Sequence, residues 1–463
     1  MSLSLVGSIG MILNRFIEVY LPQGYSMDQV TYLVTMPSLT VGLGNFIILP
    51  AALWLGRRPV FIACTIVLTA ASIGAAFNNS YEVHLALRIV QGLAASATES
   101  LLPLILAELT FLHQRPLIFS IYWGAQTCIS SVLNIAITYV VDAAGWRWYY
   151  GLYAIVSGIS IFFTFFLCFE TRYSRPPAAL NGQVVVTDEF GVTRVLCADE
   201  ANNYLAHHAP NQSDSAILEP KRSYRGLLSF WPGALPEGAK LVCMSYVHMI
   251  QSLSAPAIVY SVLVFSITLG CSTALSLTQD AVFHTLYGWP EKSIGLINAH
   301  LHPKCPVSSP IVTGLAILYS GWFGGKATLW LARRSSGIHK PEHHLILIIF
   351  PGCVGLCGIL LYGFGAGNGP QVLSWMAPYM GWTLYQFTFI TPMHPGPALV
   401  VVVGLKSIVA FGAAYGLQPM VTLHGYEWGY GILAAVFVVI LLLGIPVYFL
   451  NPRWRAMMSV KGA

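Results

Sequence analysis

The chain has 463 residues, of which 56% are hydrophobic and only 9% charged, and its mean hydropathy is +0.67. About a quarter of the residues of a soluble domain are charged, so this composition cannot cover a water-facing surface, and lipid is the solvent for most of it. Lys and Arg outnumber Asp and Glu by only 23 to 18, too little for a nucleic-acid-binding footprint, and the nine cysteines, several inside apolar runs (Cys64, Cys128, Cys168, Cys243), form neither a disulfide framework nor a metal-ligand spacing.

About 20 apolar residues cross a bilayer as a helix. Apolar runs predict helices near 3–21, 31–55, 60–78, 83–107, 117–141 and 147–169, then a long polar segment, then 241–270, 307–331, 344–365, 372–391, 397–418 and 429–450. The start lacks a basic leader region and is interrupted by Arg15 and Glu18, so it reads as a short or incomplete first membrane helix, not a cleaved signal. Runs of this length do not suit barrel strands, which alternate over about ten residues. The expected fold is therefore an all-α integral membrane protein of about twelve transmembrane helices. A six-helix bundle over 1–169 and another over 241–455 are joined by a polar linker, 170–240.

Basic residues alternate between loops. Arg57, Arg58, Arg115, Arg172, Arg175, Lys221, Arg222, Arg225, Arg333, Arg334, Lys340, Arg453, Arg455 and Lys461 fall in one set; the other has mainly Arg147, Lys292 and Lys304. The positive-inside rule places both termini and the linker in the cytoplasm. Asn78-Asn79-Ser80 is then a sequon on the outer side and a glycosylation candidate at Asn78, whereas Asn211-Gln212-Ser213 lies inside. The polar, proline-rich stretch Asn298–Pro306 holds His300, His302 and Cys305, but prolines argue against a pre-organised metal site and none is expected.

Arg88 and Glu99 fall within one predicted membrane helix. A charge at that depth costs several kcal/mol on most scales and faces a partner or a wet cavity. Eleven residues apart, they share a face but lie about 16 Å apart and cannot pair directly. Lys406 is a third intramembrane cation, either neutralising an acid, contacting an anionic substrate or snorkelling to an interface. Gln126, Asn134, His248, Gln251, Tyr385 and Gln386 are further polar groups in apolar runs; each alone is more often a helix–helix hydrogen bond than a ligand contact.

Internal symmetry and motifs narrow the class. Leu55-Gly56-Arg57-Arg58-Pro59 after the second helix is matched by Leu331-Ala332-Arg333-Arg334 after the eighth. The first resembles the loop 2–3 motif of the major facilitator superfamily, and Arg88-Ile89-Val90-Gln91-Gly92 resembles its helix 4 motif. Glu99, Pro103, Ala107-Glu108 and His113-Gln114-Arg115 resemble its fungal multidrug-type, drug:proton antiporter-like branch. So do Gly145-Trp146-Arg147-Trp148, Phe169-Glu170-Thr171-Arg172, Tyr287-Gly288 and Gly337–His343. The resemblance covers nearly the whole chain. It departs from the pattern in three places: Leu53 stands where the loop motif carries an acid, helix 5 (Trp123-Gly124-Ala125-Gln126) lacks the antiporter Gly-Pro pair, and Gly325 replaces the second-half acid.

The resemblance implies a secondary transporter, working as a monomer in the plasma membrane. It would export a small organic compound such as a toxin, drug or secondary metabolite against a proton gradient, with no other cofactor. Uptake of a polar nutrient or organic cation, and a transport-inactive, sensor-like paralogue, are the alternatives. No P-loop is present for ATP-driven pumping, and no catalytic cluster for a membrane enzyme. Glu99 is expected to carry the proton, and Arg88 either anchors helix 4 or biases the protonation of a cavity acid. Gly56, Arg57, Arg58, Arg333 and Arg334 are expected to form a cytoplasmic gate. Trp123, Gln126, Asn134, His248, Gln251, Tyr260, Tyr385 and Gln386 are expected to line the cavity, where aromatic area and a few polar groups suit an amphipathic compound.

Overall fold

The structure, a computed structural model, describes residues 1–110, 115–171, 178–180, 183–187, 193–195, 238–290, 309–334, 346–391 and 399–451. Helix α1 is broken: Ser2–Gly7 and Leu13–Tyr20 flank a 3-10 stretch, Ser8–Ile12. It is followed by α2 (Met27–Leu55), α3 (Arg57–Phe77), α4 (Tyr81–Leu109), α5 (Arg115–Ala144) and α6 (Arg147–Leu167). Ser26 starts α2 with a reciprocal capping box to Gln29, satisfying two terminal N–H groups that the helix leaves unpaired.

Between the halves, β1 (Ala178–Leu180), β2 (Gln183–Thr187) and β3 (Thr193–Val195) form a small antiparallel sheet, a local exception to the all-α expectation that sits in the polar linker. Next come α7 (Gly238–Ser252) and α8 (Pro256–Asp280), continued by the π-helical Ala281–Leu286. The expected single helix 241–270 is thus two helices. Pro256 sits at the first turn of the second, where its missing N–H costs nothing. Helix α9 runs Ser309–Ile317, through π-helical Leu318–Phe323, into Gly324–Arg334. Then follow α10 (Ile349–Val372) and α11 (Met376–Ile390). Leu399–Leu442 is divided by Gly425, at φ 86° and ψ 169°, into α12 (399–424) and α13 (426–442). The chain reverses there: a Cβ at Gly429 would touch Val421 and Leu417.

Among the described residues, eight helices are long and apolar enough to cross a membrane by length and composition alone, or nine with the two pieces of α1 counted as one span, against about twelve expected. The shortfall has local causes. The π-helical stretch interrupts α9, α11 has 15 residues, and the apolar part of α12 is Val402–Leu417. Helices α10 and α11 pack by close backbone approach: a Cβ at Gly358 would fall 2.8 Å from the Gly381 carbonyl and one at Gly381 would fall 2.7 Å from that of Gly358. Each half has its own apolar core: Ile9, Phe16, Leu33, Ile137 and Tyr150 in the first, Cys271, Phe283, Ile359, Tyr379 and Phe437 in the second.

The halves meet at Gly10 of α1, where a Cβ would lie 3.2 Å from the Ser276 carbonyl of α8, and along two further seams. In one, α2 lies against α12, and a Cβ on Gly42 would be 2.9 Å from the Gly404 carbonyl. In the other, α5 lies against α9, with Ser120 Oγ 3.0 Å from Ser320 Oγ and Gly124 against Ile317.

Candidate functional site

The first seam brings together an ion pair between the two halves. Lys406 Nζ on α12 is 3.2 Å from Glu99 Oε1 on α4, and the two side chains are 4% and 7% exposed. The ammonium also lies 5.6 Å from the centre of the Trp123 ring on α5, within cation–π range. Glu99 Oε2 is buried with no hydrogen-bond partner among the described residues. Next to it, the Tyr122 hydroxyl donates to the Thr98 carbonyl at 3.1 Å.

The packing explains the reach. Gly42 and Gly404 let α2 and α12 touch, and Gly44 lets Ser96 of α4 close on α2, since a Cβ there would sit 2.6 Å from Ser96 Oγ. Moving two charges out of water costs several kcal/mol each, repaid only when the geometry is excellent and the remaining valences are filled. Here one carboxylate oxygen is unfilled. The pair is therefore poor as a stability device. The sequence marked all three residues but gave Lys406 no partner.

Arg88 serves a different end. It is fully buried and donates to the carbonyls of Leu33 at 3.1 Å, Leu5 at 3.0 Å and Val6 at 3.1 Å, and to Gln91 Oε1 at 3.1 Å. These partners tie α4 to the broken α1 and to α2, as the anchoring role would require. Ser4, Ser8, Tyr149 and Tyr153 complete this joint, with Tyr149 Oη donating to the Leu5 carbonyl at 2.7 Å and Ser4 Oγ 2.7 Å from Tyr153 Oη. One end of the same bundle is closed by His84, whose two ring nitrogens lie 2.9 Å from Tyr20 Oη and 2.6 Å from Tyr150 Oη while Trp146 stacks on its face.

At the other end, Gly56 turns the chain at φ 106° and ψ 153°, a backbone that only glycine adopts readily. Glu170 accepts from the backbone N–H groups of Arg57 at 3.1 Å and Arg58 at 3.2 Å, placing a carboxylate on the positive end of α3. Arg57 Nη2 donates to Glu108 Oε1 at 2.8 Å, and Thr171 Oγ1 donates to Glu108 Oε2 at 2.7 Å. Arg58 Nη2 donates to the Phe165 carbonyl at 2.8 Å and its guanidinium lies over the Phe165 ring. These bonds tie α3, α4 and the end of α6 to one another within the first half. Leu53, in place of the family acid, is buried with Leu49, Val60 and Leu101. Arg334 is exposed and lies over the Trp330 ring.

Glu170→Gln removes the charge from the α3 terminus but keeps the shape. The expected result is a loss of about 1–2 kcal/mol, seen as a lower Tm of the detergent-purified protein. An unchanged Tm would show that the carboxylate charge does not hold this turn.

The remaining expected cavity residues separate. Gln126 Oε1 and Asn134 Oδ1 on α5 are buried without a hydrogen-bond partner among the described residues, as a ligand-facing amide requires. Tyr260 and Tyr385 do not fit the expectation. Tyr260 Oη donates to the Leu441 carbonyl at 3.4 Å, and the fully buried Tyr385 Oη donates to that of Thr268, so both fasten helices of the second half. Gln251 is exposed on α7 and Gln386 is half-buried. Asn78 is buried, with Oδ1 accepting from Ser80 N–H at 2.7 Å and Nδ2 enclosed, so the amide a glycan would need lies inside the fold. The side chains of His248 and Arg333, and the stretch Asn298–Pro306, lie outside the described residues.

A cleft of about 250 Å³ opens beside Arg15, Glu18, Asp142 and Trp146, and a cavity of about 20 Å³ lined by Met11, Thr138, Asp142 and Asp280 lies next to it. Arg15 is 3.4 Å from Glu18 and 3.9 Å from Asp142, in exposed pairs of small energetic weight.

Comparison with known proteins gives a consistent result. Among solved structures, the human organic anion transporter MFSD10 (TETRAN) matches with a TM-score of 0.55 at 12% identity, over 96% of this chain and 95% of that one. The Escherichia coli xylose transporter XylE, in a partially occluded inward-open conformation, matches with 0.55 at 14%, over 95% and 97%. Among relatives, an uncharacterised MFS-type transporter of Schizosaccharomyces pombe is 22% identical over 90% of this chain and 76% of its own. The MFS transporter fsa7 of a Fusarium species is 24% identical over 90% and 75%, and the efflux pump radE of Floropilus chiversii 22% over 92% and 73%. These relatives are transporters, not enzymes. The profile of the Major Facilitator Superfamily matches residues 3–402, and the chain, with its two helical halves, belongs to that superfamily of membrane transporters.

Proposed function

We propose that the protein exports a small organic compound, neutral or basic and amphipathic, in exchange for protons, with Glu99 as the proton carrier and Lys406 as its counter-charge. The carrying observation is the buried Lys406–Glu99 pair between the halves. Its electrostatics favour exchange. The pair is neutral; a proton on Glu99 leaves one net positive charge, and so does a cationic compound bound to the carboxylate. Both together leave two, and like charges 4 Å apart repel by roughly 4 kcal/mol at an effective dielectric constant of about 20. Proton and cation therefore exclude one another, which is the requirement for moving them in opposite directions. An anion reverses the sign and binds with the proton, the arrangement for uptake.

Trp123, Gln126 and Asn134 supply an aromatic face and two amide oxygens for orientation, and the naming of relatives as efflux pumps supports export. In this reading the protein works as a monomer in the plasma membrane, with the linker, both termini and the Gly56–Pro59 loop facing the cytoplasm. The loop acts as a gate by keeping the first half rigid while the halves rock.

The test is flux in proteoliposomes under an imposed pH gradient, using labelled aromatic amines and carboxylates of matched size. Amines moving against the proton gradient, with carboxylates inert, is the expected result. Carboxylates moving with protons would replace export by uptake. Absence of any gradient-dependent flux in folded protein would favour the sensor-like reading.

A further inference from the structure

Helix α2 contains two prolines, Pro37 and Pro50. A proline inside a helix has no N–H to give, so the carbonyl four residues earlier loses its donor. For Pro37 that carbonyl is Leu33, and Arg88 Nε reaches it at 3.1 Å. For Pro50 it is Phe46, and Tyr246 Oη reaches it at 2.8 Å. The second donor comes from α7, outside the two six-helix sets. Helix α7 leads into the second half but lies on the first. Gly238 is flat against the Trp54 indole, where a Cβ would sit 1.8 Å from a ring carbon, and Met249 is buried with Leu49, Ala52, Leu53 and Leu101.

Phe46 also touches the helix of the ion pair. A Cβ on Gly404 would fall 2.5 Å from the Phe46 ring, and Gly404 precedes Lys406 by two residues. A chain of contacts therefore runs from Tyr246 to the Phe46 carbonyl, from the Phe46 ring to Gly404, and along α12 to Lys406 and Glu99.

We infer that Tyr246 is a positioning residue for transport: by supplying the hydrogen that Pro50 withholds from the Phe46 carbonyl, it sets the bend of α2 and holds Phe46 against α12 in the conformation where Lys406 reaches Glu99. Helix α7 is in effect a strap from the second half onto the first, fastened at the proline bend. Alternating access in this fold moves one bundle against the other, so the fastening biases which arrangement of the seams persists. The inference needs the two halves to move, and does not depend on what couples that movement to protons.

The full chain carrying Ser120→Cys and Ser320→Cys provides a reporter, because the two hydroxyls are 3.0 Å apart across the other seam. The rate of oxidative disulfide formation between them, read by mass spectrometry of the linked peptides in reconstituted protein, measures how often that seam is closed. Adding Tyr246→Phe is expected to lower the rate about fivefold, the size of one net hydrogen bond. Pro50→Ala restores the helical N–H, so in that background Tyr246→Phe is expected to change the rate by less than about twofold. An unchanged rate for Tyr246→Phe alone, or the same loss in the Pro50→Ala background, would overturn the assignment. If Tyr246→Phe alone reduces the yield of folded protein, recovery of that yield by Pro50→Ala supports the assignment and failure to recover it overturns it.

Discussion

Glu99→Gln is expected to abolish proton-driven flux while leaving a folded protein. The substitution keeps the volume and a carbonyl oxygen for Lys406 Nζ, 3.2 Å away in the native pair. It removes the negative charge and the ability to carry a proton. Among the described residues, Lys406 is then a cation at 4% side-chain exposure with the Trp123 ring and an amide beside it and no counter-charge. Leaving one member of a buried pair uncompensated costs about 3–5 kcal/mol, so the Tm falls as well.

Lys406→Met is expected to fail in the mirror sense: the buried carboxylate loses its counter-charge. The double variant separates stability from coupling. With both charges replaced by neutral groups of similar volume, the desolvation cost disappears, and stability is expected to return to the native level or above. Coupling is expected to stay absent. Flux in proteoliposomes and Tm in detergent are the two measurements. Gradient-driven flux in Glu99→Gln at the native rate would remove this residue from proton transfer. A double variant less stable than either single one would show that the pair contributes net stability, against the argument from its unfilled oxygen.

How much of this was legible in the sequence follows from the physics of each signal. Membrane residence was written in the composition, because a bilayer needs long apolar runs, and the order of helices in the first half followed directly. The end of α2 was visible in Gly56 and the arginines after it. The division of 241–270 into α7 and α8 was not, since both pieces are apolar and periodicity does not distinguish a bent run from a straight one; only Pro256 hinted at it. The site was half-legible. Arg88, Glu99 and Lys406 stood out because a charge in an apolar run is costly. Which charge met which depended on α4 and α12 touching across the halves, a contact more than 300 residues apart in sequence. Tyr260 and Tyr385 misled for a related reason: a tyrosine in a membrane helix reads equally well as a ligand contact or a helix fastener, and the fastener requires only one carbonyl nearby. Asn78 misled because a sequon does not report burial.

Arg88→Met is expected to give the opposite phenotype to Glu99→Gln: loss of the protein, not of coupling alone. The guanidinium donates to three backbone carbonyls and one side-chain oxygen from full burial. Two of those carbonyls, Leu5 and Val6, lie in the last turn of the α-helical piece Ser2–Gly7, just before the 3-10 stretch, and the third, Leu33, is the one that Pro37 deprives of its donor. The Leu5 carbonyl keeps Tyr149 Oη as a donor at 2.7 Å, whereas the Val6 and Leu33 carbonyls lose the guanidinium. Hydrogen bonds to charged groups contribute about 1.5–3 kcal/mol each. Their joint loss therefore exceeds about 4 kcal/mol, a large part of the 5–15 kcal/mol by which a folded domain is stable. Arg88→Lys is expected to recover little, because an ammonium is a compact donor on a flexible stem and cannot span carbonyls on α1 and α2 with the fixed fork of a guanidinium. The measurements are the yield of monodisperse protein and its Tm. Full recovery by Lys would show that charge alone is needed and would return Arg88 to an electrostatic role at the buried acid. Recovery by neither Lys nor Met, with Glu99→Gln still folded, would place the two charges of α4 in different tasks, one holding α1 and α2 in place and the other exchanging a proton between the halves.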